Sequence, residues 1–553
     1  MLHPIRCALI AAVLLHASLS FADVVLDGRS ATPETIAGIA DGESVRIAPV
    51  AMKRVEDAHT VLLEAAQDGQ QIYGLTVGVG LNKDRKMVNA QGKLTQEIID
   101  ASGRFNVGLI HAHSGSVGPD MDVRTARAAM AARLNAMLDG GAGVQTSIVD
   151  TYVQFLNRGV TPAMPSGGSL GEADITILSH VGLAMLGEGD VYYQGRKIPA
   201  AEALGAAGIT PIKPYGKDAL AILSSNAYSA GMAALALNDM GRLLKVSKLV
   251  YALSLQAFNG NVSPFLQDTL ALRPFPYTVK AGDQLRTLLA GSSIWNHDDN
   301  RALQDPLSFR SGVYLLGEED RMYAETRALL DVQLNSSDDN PGVAVGVAPH
   351  SKRAQESRGY VKADGLSDVS DVSGAVLPSA NFEPLPWVLS FEETGLVLAH
   401  NSLASAQRII KLNDPHMTGL TRFLGTDQTV HAFGAMEKPP VALAMENKEL
   451  AMPVSMDYLP VAGDIEDIAT NAPRVVERVQ QQIDNSFTLL GIELIHAGQA
   501  IDLRRQQQPD FTLSPATAGL YTALRGKVAF LDRDRPLTPD FRAAETLLHS
   551  YPG

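Results

Sequence analysis

An all-α fold is the expectation, and three observations carry it. Alternation of apolar and polar residues, the mark of a half-buried strand, is scarce, whereas apolar residues spaced three and four apart recur along the chain. The longest of these patterned stretches run into helix-stopping residues, Gly140-Gly141, Asn259-Gly260 and Asp414-Pro415. The chain has 553 residues, 46% of them apolar, enough to bury a large core in more than one cooperative unit.

Taken in order, the chain opens with MLHPIRCALIAAVLLHASLSFA. One positive charge at Arg6, an apolar run from Ala8 to Leu15 and small residues before Asp23 predict a secretory signal, residues 1–22, cleaved after Ala22. The run is too short for a permanent anchor. No later stretch reads as an uninterrupted apolar span, so the mature chain is expected to be soluble, periplasmic or secreted, and without membrane contact. Cleavage removes Cys7, the sole cysteine, which excludes disulfides, cysteine nucleophiles and thiolate metal sites. It also removes Arg6, leaving 45 basic against 60 acidic residues, an acidity that argues against nucleic acid as a partner.

Residues 121–138, MDVRTARAAMAARLNAML, place Met121, Val123, Met130, Leu134, Met137 and Leu138 close to one helical face. The same spacing predicts helices over 237–258, 389–412 and 475–498. Such helices should pack as a bundle, against one another or against a second subunit. Residues 346–378, rich in Ser, Gly and Asp, read as a flexible insertion. Its Asp364, Asp368 and Asp371 lack the spacing of a calcium loop.

Two motifs are set aside. GGSLG at 167–171 matches the G-x-S-x-G of serine hydrolases, but the prolines of the preceding TPAMPSGG argue against the core strand that motif needs, which leaves a secreted serine hydrolase as a minor alternative. His111 and His113 stand two apart on a helix, point in different directions and lack a third ligand, so no metal site is expected.

Stretches spread in order from Tyr73 to Met456 carry a resemblance: YGLTVGVG at 73–80, LIHAHSGSVGP at 109–119, PSGGSLG at 165–171, HVGLAMLGEG at 180–189, KDALAILSSNAYSAG at 217–231, QDPLSFR at 304–310, QLNSSDDNP at 333–341, SANFE at 379–383 and ENKELAMPVSM at 446–456. Together they resemble the aromatic amino acid ammonia-lyase family, which includes the histidine, phenylalanine and tyrosine ammonia-lyases. The resemblance implies a long helical bundle of the fumarase/aspartase-like ammonia-lyase type and a homotetramer whose active sites draw on several subunits. It also implies elimination of ammonia from an aromatic α-amino acid, assisted by a methylidene-imidazolone that forms from an internal Ala-Ser-Gly. The domain division that goes with it is an N-terminal part, 23–215, carrying the active-site loops, a central long-helix bundle, 216–505, and a C-terminal segment, 506–553.

At the loop the chain departs from the family. After Gly168-Ser169-Leu170-Gly171 it reads Glu172-Ala173-Asp174, where the family has Ala-Ser-Gly-Asp, one residue longer. The cyclising serine and its glycine are absent, so the methylidene-imidazolone is not expected to form, and no cofactor is expected. A second Ala-Ser-Gly, Ala101-Ser102-Gly103, lies upstream and reads as a helix interruption. Ser224 stands where the family has the asparagine that supports the electrophile, with Asn226 two positions on; Leu307 replaces the tyrosine of Q-D-x-Y-S-x-R. Ala112 and His113 occupy the pair that tunes ring selectivity in the family. Tyr73 matches the catalytic base, and Arg310 matches the arginine that takes the substrate carboxylate in a planar fork. Asn340, Asn381 and Glu449 keep their places.

The expected protein is therefore a lyase that binds a small, aromatic carboxylate through Arg310 and removes a proton with Tyr73. Glu172 or Asp174 protonates the leaving group, and Ser224 sits among the catalytic residues. Ala112, His113, Asn226, Gln304, Asn340 and Glu449 surround the substrate. General acid–base groups alone suit an activated substrate, a β-hydroxy acid or one with a good leaving group, which points to a dehydratase or isomerase rather than an ammonia-lyase. The alternative is a periplasmic small-carboxylate-binding or structural protein that has lost catalysis.

Overall fold

The computed structural model describes residues 23–78, 96–349, 351–357, 359–361 and 372–552. The expected signal at 1–22 and the acids Asp364, Asp368 and Asp371 lie outside them.

Long helices make the body of the molecule. The four predicted stretches form as Val123–Asp139, Ala227–Phe258, Leu385–Leu412 and Ala472–Gln507, joined by Gly312–Leu334. Two of the stop signals act as the backbone requires: Gly140 (φ 99°) and Asn259 (φ 60°) take the left-handed conformation that turns the chain out of a helix. Ala227–Phe258 runs through the middle, packed against Val123–Asp139, Gly312–Leu334 and Ala472–Gln507, and one contiguous core extends from Leu26 to Leu548. The bundle fold matches the expectation.

Three expectations are corrected. Val123–Asp139 has no single apolar face, because every residue from Ala126 to Leu138 is buried. Its alanines let neighbours approach on all sides, and its arginines enter the core fully satisfied: Arg127 donates to the carbonyls of Ile39, Ala40 and Leu156. By composition, the stretch Asp218–Phe258 is apolar enough to cross a bilayer, contrary to the reading of no such span; 94% of its most apolar window is buried inside the protein. The 346–378 segment is not loose to its end, since Gly374–Leu377 pairs antiparallel with Gly342–Val345 and buries Val376 opposite Val343. Small sheets elsewhere decorate the bundle, among them the antiparallel pair Val117–Asp120 and Pro165–Gly167.

A buried charge network ties the first half of the chain to the Asp338–Pro341 turn. Arg133 donates to Asp338 (3.1 Å) and Asp339 (2.9 Å), and Lys217 donates to Asp339 (2.8 Å) and to the Ala142 carbonyl (3.1 Å). Asp338 in turn accepts from Ser225 Oγ (2.9 Å) and from the Asn226 backbone (2.7 Å), at the start of the central helix. Removing one partner of such a network leaves an uncompensated buried charge. Lys217→Met is therefore expected to lower unfolding stability by about 3–5 kcal/mol, read as a reduced midpoint in chemical denaturation.

Candidate active site

The loop from Gly168 to Asp174 connects the short strand Pro165–Gly167 to the helix Ile175–Met185. Gly171 (φ 85°) must be glycine, because a Cβ there would lie 2.6 Å from Thr470 Oγ1 and 2.7 Å from the Ala472 nitrogen. The Leu170 carbonyl accepts from the Asn471 backbone (2.7 Å), which clamps the loop to the start of Ala472–Gln507. Ala173 sits at φ 61°, a conformation that costs a residue with a Cβ. Its N–H donates to Asn226 Oδ1 (3.0 Å), and the Asp174 N–H donates to the Ser225 carbonyl (2.7 Å).

These bonds sort the candidate acids into two roles. Asp174 is wholly buried and accepts from Ser169 Oγ (2.6 Å), the Ser229 backbone (2.8 Å) and Ser229 Oγ (2.9 Å). Burial pushes its carboxyl up to about 6 against the pull of these donors, so near neutral pH it is an anion at the first turn of the central helix. It pins the loop. Glu172 points the other way, into a cavity of about 270 Å³ whose walls include His113, Ser169, Leu459, Glu466 and Ile468. Burial, reinforced by the neighbouring carboxylates of Glu383 and Glu466, pushes the Glu172 carboxyl up to about 8. Among the described residues its buried Oε1 meets no hydrogen-bond donor.

Asn226 acts as the bracket of this site, its amide joining Ala173 to the Phe382 carbonyl, while Ser224 is buried at the end of the preceding short helix. His113 lines the cavity, with its Nδ1 on the Leu109 carbonyl (2.8 Å); Ala112 lies exposed on the same helix end. Asn340 Oδ1 accepts from the Ser379 backbone (3.0 Å), and Asn381 is exposed beside it. Tyr73, half-buried, stands in a turn whose Ile72 and Leu75 pack on Val343 and Val376, next to the Asp338–Pro341 turn. Glu449 is exposed on the helix Lys438–Leu450.

Arg310 and Gln304 keep company with each other (2.5 Å) but not with Glu172. Phe309, next to Arg310, is bonded to Tyr251, whereas Asp174 is bonded to Ser229; the two contacts lie 22 residues apart on one helix, about 33 Å of axis. Ser102, of the upstream Ala-Ser-Gly, corrects another expectation. It lies inside the unbroken helix Gln96–His113, buried, its Oγ accepting from Gly216 N–H (3.0 Å). Sequence reasoning missed Glu383 and Glu466. The first closes the SANFE stretch and the second sits in the acidic run Asp464–Asp467, and those were the available signals. Among the described residues no group of three or more His, Cys, Asp or Glu is placed to hold a metal.

The model of one protein family, described as aromatic amino acid lyase, matches residues 31–526. This chain belongs to the aromatic amino acid lyase family. Among its lyase relatives, the histidine ammonia-lyase of Chloroflexus aurantiacus is 31% identical over 96% of this chain and 94% of its own. The ergothioneine-degrading enzyme ergothionase of Treponema denticola, solved with desmethyl-ergothioneine sulfonic acid, is 33% identical, with a TM-score of 0.83 over 96% of this chain and 99% of its own. The histidine ammonia-lyase of Trypanosoma cruzi, at 23% identity and a TM-score of 0.80, shares the fold. Within this lyase the residues do not fit the family's prosthetic group. No serine follows Gly171 in the loop, and the backbone nitrogens of Ala173 and Asp174 are both engaged.

Proposed function

We propose that this lyase eliminates trimethylamine from a histidine-type betaine, ergothioneine in the first instance, without a methylidene-imidazolone. The observation that carries the reading is the cavity where a carboxyl, Glu172, stands beside Glu383 and Glu466 in place of a cyclising serine. The likeness to ergothionase supports the substrate class. A primary amine leaves poorly and calls for an electrophile. The α-nitrogen of a betaine carries three methyl groups and a permanent positive charge, so it departs as a neutral amine with the electron pair of the broken C–N bond.

In this reading Arg310 takes the carboxylate in a charged fork. Tyr73 takes the β-proton, the C–H electrons become the new C=C bond, and an α,β-unsaturated acid remains. Trimethylamine has no need of a proton on departure. Glu172 therefore serves as an anion that attracts the cationic nitrogen, rather than as the general acid expected from the sequence, and Asp174 and Asn226 hold its loop. Because Arg310 and Glu172 lie at opposite ends of the bundle in one chain, the reading takes each site to be assembled from different copies of a homo-oligomer. It also takes the mature chain to be exported, starting at Asp23.

The raised Glu172 pKa gives a pH dependence with a definite sign. Below about 8 the free carboxyl holds its proton, and a bound cation favours the ionised form. Affinity for the betaine is thus expected to rise with pH up to about 8 and then level off, and Glu172→Gln should flatten that rise, as followed by inhibition constants across pH. The same raised value favours the folded state at low pH, a contribution lost as pH climbs from the ordinary carboxyl range through about 8.

The direct test is incubation of the purified protein with ergothioneine, histidine and β-hydroxy acid counterparts, following trimethylamine, ammonia and product mass. Trimethylamine with an unsaturated acid from ergothioneine supports the reading. Ammonia from histidine, loss of water from a hydroxy acid, or no release from any of them would overturn it.

A further inference from the structure

Resting on the reading above, we infer that Leu307 selects for a methylated α-nitrogen over an unmethylated one. Leu307 opens the one-turn helix Leu307–Arg310, so it stands three residues before Arg310 on the same side of the turn. Leu307 is 63% exposed, an apolar residue one turn from a guanidinium. The bond from Arg310 Nη1 to Gln304 Oε1 (2.5 Å) holds the guanidinium there.

An α-amino acid carries its carboxylate and its nitrogen on the same carbon. A carboxylate seated on Arg310 therefore brings the nitrogen against the residue one turn away. Leucine offers no acceptor. Glu172 can accept from the N–H groups of a primary ammonium that face it, but an N–H turned to Leu307 would lose water and gain no partner, which is costly. A trimethylammonium has no N–H to strand, and its methyl groups bury apolar surface against the leucine. The surface attracts one substrate class and penalises the other, and both effects act in the same direction.

Equilibrium binding tests this apart from turnover. Nα-trimethylated histidine and histidine are titrated calorimetrically into the Tyr73→Phe protein, so that no elimination intervenes, with Leu307 intact or replaced by Asn or Met. With Leu307 the trimethylated ligand binds more tightly. Leu307→Asn is expected to cut that preference about tenfold, on the scale of a methyl-sized discrimination in an apolar pocket. Leu307→Met, which conserves hydrocarbon volume, keeps it. Size-exclusion chromatography checks that each variant holds its assembly state, and if Leu307→Asn alters it, Leu307→Thr carries the same comparison. No preference with Leu307 intact, a preference unchanged by the polar variant, or an equal loss in Leu307→Met would overturn the inference. Failure of the elimination reading would show instead as absence of trimethylamine release by the unmutated protein.

Discussion

Tyr73→Phe is expected to abolish useful turnover, lowering kcat by about 10²–10⁴-fold, the range a well-placed general base contributes. The substitution removes only the hydroxyl. The ring of this half-buried residue packs against the core, and Ile72 and Leu75 on either side anchor the turn on Val343 and Val376, so the local fold should persist. The loss should fall on kcat, with the binding constant of a non-reacting betaine unchanged, because proton abstraction belongs to the transition state and not to the ground state. A kcat within threefold of the parent protein would remove Tyr73 from the mechanism. A parallel loss of binding and stability would make it a packing residue.

Mixing two inactive variants is the second large effect. Arg310→Met removes the carboxylate fork and Glu172→Gln removes the anion, both of them binding contacts, so each homo-oligomer is expected to turn over little at betaine concentrations well below the parental KM. In one chain the two positions are separated by about 33 Å of helix. Co-refolding equal amounts of the two variants should therefore restore about a quarter of parental activity, the share of sites that draw an intact Arg310 from one copy and an intact Glu172 from another. No recovery in a properly assembled mixture would mean that each site takes both residues from the same chain, which the geometry of the single chain opposes.

The helices were legible because their apolar spacing and stop residues are local facts. Gly140 and Asn259 turn the chain left-handed where the sequence says a helix should stop. What could not be read was anything set by contact between distant segments. Arg133 sits in a stretch that looks amphipathic, and it is Asp338 and Asp339, some two hundred positions away, with the Ala221 carbonyl, that make its burial tolerable. The same holds at the loop. Glu172 and Asp174 are two residues apart and look interchangeable as acids, yet the backbone turn at Ala173 sends one into the cavity and the other onto the central helix. Glu383 and Glu466 join Glu172 from more than two hundred positions downstream. The order of the family-like stretches correctly indicated the fold but carried no distances, and so could not place Arg310 at the far end of the bundle.

The proposed elimination runs at a site that builds no electrophile from its own chain. The intact mass of the protein, taken from a preparation shown to release trimethylamine from ergothioneine, tests it most directly. The mass of the unmodified mature sequence is expected. A mass lower by the two waters that ring closure and dehydration expel, located to any segment of the chain, would contradict it.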